Sequence, residues 1–248
     1  MKRVFGWLLL ALAFYLAALL ATAPARLLLA WLPEQVRVAD VAGTLWSGRA
    51  GPLQAGGGPR IERVEWEWRP SGLLLGRMEY KVEVKAFGGH AGFDAGLGPF
   101  GGPVLEKVQG AWPAASIGPL LPVKGIALGG RVELALERLV LEEGWPVEIK
   151  GALHWRDAAL VSPFSFGLGG FQAVPALAED GRLRLDISDD GGALDADGEA
   201  VLSRDRSYRL DLRIRARASA APGLADSLKL LGNPDVRGFY RLHLSGRF

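Results

Sequence analysis

The residues able to do chemistry in this chain are few and poorly grouped. There are three histidines, His90, His154 and His243, and none has a second histidine at ligand spacing. Neither the HExxH pattern of a zinc hydrolase nor the spaced acidic loop of a calcium hand occurs. Asp189 and Asp190, with Asp195 and Asp197, come nearest to a paired-carboxylate or cation set. Gly191, Gly192 and Gly198 are interleaved with them, which reads as a solvated hairpin loop rather than a calcium loop. Ser47 stands between Trp46 and Gly48, not in the G-x-S-x-G turn that exposes a serine nucleophile. The glycines at 56–58 lack the Lys-Ser/Thr of a phosphate loop. With no cysteine, thiol catalysis and thiolate metal sites are excluded. The sequence therefore calls for no catalytic, cofactor-binding or metal-ligating residue, and the expectation is a protein that is not an enzyme.

What the chain does carry is a way into a membrane. Residues 4–23 read VFGWLLLALAFYLAALLATA, without a charge. About 20 apolar residues suffice for a helix to cross a hydrocarbon core. Lys2 and Arg3 precede the run, so the positive-inside rule keeps residues 1–3 in the cytoplasm and sends the rest across. Ala21-Thr22-Ala23 also resembles the cleavage site of a secretory signal. The apolar run is longer than a usual signal core, however, and Pro24 would obstruct a peptidase that binds extended backbone. An uncleaved anchor over 4–23 is the reading adopted. A juxtamembrane segment, 24–35, follows, and its RLLLAW stretch at 26–31 is expected to lie in the bilayer interface.

Residues 36–248 carry the pattern of an all-β domain. Side chains alternate in polarity at 64–68, 80–86, 132–136, 147–155, 183–187, 208–216 and 240–244, the period of half-buried antiparallel strands. In 208–217, Tyr208, Leu210, Leu212, Ile214 and Ala216 take one face while Arg209, Asp211, Arg213, Arg215 and Arg217 take the other. Glycine turns at 56–59, 88–89, 129–130, 180–181 and 190–192 separate the runs. Helix is expected only at 223–231 and as a short turn near 116–121. A sheet with one apolar face and so few helices must curl on itself, pair into a sandwich or leave a groove. Gly151 and Gly238 are placed to permit bends. The region reads as one domain, with a division near 98–103 as the lesser alternative.

Positive and negative residues are interspersed, with a net charge of +2, so no basic stripe suited to nucleic acid exists. Trp46, Trp66, Trp68, Trp112, Trp145 and Trp155 all follow the anchor. They form either a packed core or a partly exposed apolar groove for a lipid chain or a partner's strand.

The stretch VAGTLWSGRA at 41–50 resembles an element of protein N of the bacterial type II secretion system. The resemblance continues through WEWRPSGLLLG at 66–76, GALHWRDA at 151–158, the glycines at 191, 192 and 198, and LLGNPDVRGFY at 230–240 with Gly246. It implies a Gram-negative inner-membrane protein with a periplasmic domain, accessory to that machine and touching its other subunits, with no catalytic residues to carry over. At the level of fold the family also resembles AsmA-like curled sheets with a lipid-accepting trough.

Overall fold

The computed structural model describes residues 2–31, 36–55, 60–97, 103–118, 125, 127–162 and 165–247. The chain opens with helix α1 (Lys2–Ala21), followed by a 3-10 segment, Ala25–Trp31. Fifteen strands come next: β1 (Val36–Val38), β2 (Val41–Gly43), β3 (Ser47–Ala50), β4 (Leu53–Ala55), β5 (Arg60–Arg69), β6 (Met78–Ala86), β7 (Gly89–Leu97), β8 (Pro103–Pro113), β9 (Ala127–Glu142), β10 (Trp145–Ser162), β11 (Phe166–Leu177), β12 (Leu183–Asp189), β13 (Leu194–Leu202), β14 (Ser207–Ala216) and β15 (Tyr240–Arg247). Two short helices interrupt them, α2 (Ala114–Ile117) and α3 (Pro222–Leu228).

All strands belong to one open antiparallel sheet, and from β4 to β15 each is bonded to its neighbours in sequence. Of the proposed division near 98–103, residues 98–102 lie outside the described residues; β7 and β8 on either side of them pair in one ladder. The turn expected at 56–59 and the segment 119–124 lie outside the described residues.

Register explains why the alternation exists. One cross-strand row runs Ala50, Val64, Val84, Ala91, Gly110, Leu134, Leu153, Ala173, Ile187, Gly198, Leu212, Leu242, from β3 to β15 without a polar residue. Successive side chains in a strand point to opposite faces. An adjacent row on the other face reads Arg63, Lys85, His90, Ala111, Glu133, His154, Gln172, Ser188, Asp197, Arg213, Arg241. A one-residue slip in any ladder would exchange these faces, so the patterning specifies the register.

Two readings of local sequence are corrected here. Gly129 and Gly130 are not a turn but lie inside β9, where Gly130, at φ +91°, faces a bulge in β10 at Asp157. Asp195, Asp197 and Gly198 are not in a hairpin loop but in β13, and Asp189 ends β12; the turn between them is confined to 190–193. In both cases the ladder outweighs a local preference for turns, because each buried backbone group needs its cross-strand partner.

The apolar face is half covered. The described residues include no large side chain that is fully buried, and the sheet residues of that face are mostly intermediate in exposure. The main exception is the end where α3 lies. Leu224 and Leu228, four residues apart and so on one helix face, pack with Leu194 against Phe166, Phe171, Ile214 and Tyr240. Strands β11, β13, β14 and β15 all meet this helix, at the end of the sheet opposite α1. Leu224 is only 4 % exposed. Leu224→Ala is expected to cost about 2–5 kcal/mol, read as a lower urea midpoint for the full chain; an unchanged midpoint would mean that α3 does not contribute to the fold's stability.

Among the residues whose side chains are described, no helix is long and apolar enough to cross a membrane.

Candidate functional site

The most constructed part of the molecule is the junction between α1 and the sheet, and it is made by the G-T-L-W-S-G element. Gly43 has φ +98°, and a Cβ there would sit 2.5 Å from the Ser47 carbonyl oxygen. The turn it opens is stapled by Thr44. Its N–H donates to Ser47 O at 2.8 Å, and its hydroxyl oxygen accepts from the backbone N–H groups of Ser47 and Trp46. Gly48 makes room for the Trp66 ring, whose Cζ2 would lie 2.6 Å from an added Cβ.

Trp46 then reaches out of the sheet. Its indole N–H donates to Leu20 O at 2.8 Å, in the last turn of α1. The last four carbonyls of a helix have no partner within it, and here the sheet supplies one. Two more links lie alongside. Leu45 N–H donates to Ala23 O at 2.9 Å, and Pro24 forms an antiparallel bridge with Thr44. Ala23 and Ala25 are buried by these contacts, Ala25 to 1 % exposure. Behind Trp46 stands Trp68, ring centroids 4.7 Å apart, with the Trp68 N–H donating to Trp46 O. Trp66 donates its indole proton to Thr44 O at 3.2 Å. Three tryptophans thus tie the helix end to β3 and β5.

Trp112, Trp145 and Trp155 are intermediate in exposure. Trp155 stacks at a tilt on Phe171, 5.7 Å between centroids, and donates to Gly129 O. Trp145 donates to Gly181 O.

The polar residues singled out by type are dispersed. His90 and His154 stand on the charged row three strands apart, and His243 in β15 pairs with Asp211. The acidic set is brought together but each carboxylate meets an arginine: Asp189 with Arg217 at 2.7 Å, Asp195 with Arg215, Asp197 with Arg213. This is a ladder of cross-strand ion pairs on β12–β14. On the same face, Asp94 is buried between Arg69 and Lys107, where a bulge at Lys107 (φ +52°) turns the lysine toward it. Among the described residues, no group of three or more His, Cys, Asp and Glu is placed to hold a metal ion.

Asp189 is the member with consequences for pH. Burial pushes its carboxyl up, but the backbone N–H of Ala196, the Arg217 guanidinium and the N–H of Gly191 outweigh this and hold it below the usual range. A carboxyl depressed by folding contributes stability that is complete above its unfolded value, about 4, and is lost as pH falls through the folded one. Stability of the wild type should therefore fall more steeply below about pH 4 than that of Asp189→Asn, measured as urea midpoint against pH. Parallel profiles would contradict this role.

The features just described are surfaces and couplings, and they define an open antiparallel sheet protein with a helix docked on one end. Residues 34–243 match the family model described as type II secretion system protein N, and the chain belongs to that family. Proteins of that name from three organisms are similar to it. The one from Klebsiella pneumoniae is 32% identical over 240 residues, covering 93% of this chain and 90% of the relative. The one from Aeromonas hydrophila is 26% identical over 246 residues, 95% of each chain. The Vibrio cholerae serotype O1 protein is 24% identical over 254 residues and the full length of both. No solved structure matches.

Proposed function

We propose that this protein is an accessory inner-membrane component of the type II secretion system, acting through periplasmic contacts with other subunits and not through catalysis. The observation that carries this reading is the family match over nearly all of the sheet. The anchor is supported by the apolar run at 4–23 and by α1 itself, whose side chains from Trp7 to Leu20 include ten leucines and aromatics at 50–77 % exposure. A helix that is apolar all round needs a lipid or protein environment. Retention of the anchor is supported by Pro24 next to the Ala21-Thr22-Ala23 site and by the hydrogen bond from Trp46 to Leu20 O, which uses the helix end in the folded protein. With Lys2 and Arg3 inside, the sheet lies in the periplasm. Mild crosslinking in a Gram-negative host carrying the system should recover inner-membrane platform subunits with the chain. Deletion that leaves secretion of every type II substrate intact would overturn the assignment.

A second reading is favoured by the apolar face. It is continuous across the sheet, half-buried, and covered by α3 only at the end far from α1. A face of that shape suits an acyl chain entering from the membrane side, and the chain would then be a lipid-binding module. Native mass spectrometry of residues 35–248 should show bound phospholipid; an unliganded mass under conditions that preserve the fold would remove this reading.

A further inference from the structure

We propose that the turn Pro70–Leu75, with Leu73 at its exposed point, seats in the interface of the same bilayer that α1 enters, giving the sheet a second foothold on the membrane. The inference rests on the reading of α1 as an anchor. It starts from position. Trp46 holds the last turn of α1, Trp68 stacks on Trp46, and Pro70 follows two residues after Trp68. The turn therefore leaves the sheet beside the point where the helix arrives. On the other side of that point runs the 3-10 segment Ala25–Trp31, which contacts β2.

Both segments present apolar side chains to solvent: Leu27, Leu28 and Leu29 at 40–53 %, and Leu73 at 54 %. Leucine exposed at this level in two segments that both leave the junction at the helix end is what an interfacial contact requires. The turn is closed by its own backbone hydrogen bonds. Gly76 takes the left-handed conformation at φ +68° and donates to Leu73 O, and Arg77 N–H donates to Gly72 O. Gly72 is pressed against Glu79, where a Cβ would meet that of Glu79 at 2.8 Å. Arg26, exposed next to the apolar triplet, is placed for lipid phosphate. A protein partner would also cover leucines. The bilayer is favoured because the patch is continuous with the helix that enters it.

The absence of cysteine makes the test direct. Single-cysteine variants Phe14→Cys, Leu28→Cys, Leu73→Cys and Val236→Cys of the full chain, each labelled with the same environment-sensitive fluorophore, are reconstituted in nanodiscs of phosphatidylethanolamine and phosphatidylglycerol, with and without brominated acyl chains. Val236 is fully exposed at the opposite end of the sheet and reports water. The labels at Leu28 and Leu73 are expected to shift to the blue and lose the greater part of their emission to brominated lipid, while the label at Val236 does neither. A Leu73 label that behaves like the one at Val236, with Phe14 quenched, overturns the foothold and leaves the anchor standing. An unquenched Phe14 label overturns the anchor and the foothold with it.

Discussion

Trp46→Ala is expected to uncouple the sheet from helix α1 while leaving both folded. The substitution removes the hydrogen bond to Leu20 O and the ring that packs on Trp68. Truncating a packed tryptophan costs about 3–5 kcal/mol, and the links that remain, Leu45 to Ala23 and Pro24 to Thr44, are backbone contacts at the edge of the sheet. Spin labels at Leu16→Cys and Glu67→Cys, one on each side of the junction, should give a narrow distance distribution in the parent and a broad one in the Trp46→Ala variant. Trp46→Phe keeps a ring against Trp68 and loses only the N–H, so a smaller effect of about 1 kcal/mol is expected. A distribution that stays narrow in Trp46→Ala would show that the junction is held by something other than the tryptophan.

Gly151→Ala should be among the most damaging substitutions in the sheet. Gly151 lies in β10 at φ +142°, where the ladder to β9 shifts register between Lys150 and Gly151. A methyl group there would overlap the carbonyl oxygen of Ala135, which belongs to backbone and cannot turn aside. Strain at such a position costs about 1–3 kcal/mol before any overlap is counted, so a loss of at least about 3 kcal/mol is expected. Chemical denaturation of the full chain measures it. By contrast, Gly144→Ala, in a turn with open space around its Cβ, should cost less despite its φ of +78°. Equal effects at the two positions would refute the overlap argument.

The strands that alternation exposed are those rich in β-branched, leucine and aromatic residues on one face and charges on the other: β5, β6, β9, β10, β12, β14 and β15. Strands β7, β8, β11 and β13 were hidden for specific reasons. Strand β7 reads GHAGFDAGL and β13 reads LDADGEAVL, so small residues occupy the apolar row and contrast in polarity is lost. Gly198 occupies a position on that row where a Cβ would meet Leu212 of β14, and Gly110 in β8 one that the ring of Trp112, from the same strand, covers. In β11, Gly169, Gly170 and Pro175 read locally as breakers, but Gly169, at φ +112°, pairs with Ala158, Gly170 is bonded to Asp190 and Gly191, and Pro175 pairs with Leu185. The helix at 223–231 was legible because Leu224 and Leu228 fall one turn apart, and it appears as α3 continuing into a 3-10 turn, Lys229–Leu231. At the junction, the motif was visible as a string of letters but its purpose was not. The partner of Trp46 lies 26 residues away across a change from helix to sheet, and no local periodicity announces a contact of that range.

The order of the strands has a consequence for how the molecule comes into being. From β4 onward every ladder joins elements consecutive in the chain, so the separation along the chain between bonded residues stays short for a β protein of this size. Loop closure is therefore repaid at once by the next hairpin, and contact order is low, a property associated with rapid folding. The sheet is able to lengthen one strand at a time from its N-terminal end, each new strand finding its only template already in place and none waiting for a distant segment to be synthesised. At every stage the growing edge is an unpaired strand that accepts the next one, and among the described residues β15 is bonded on one side, to β14.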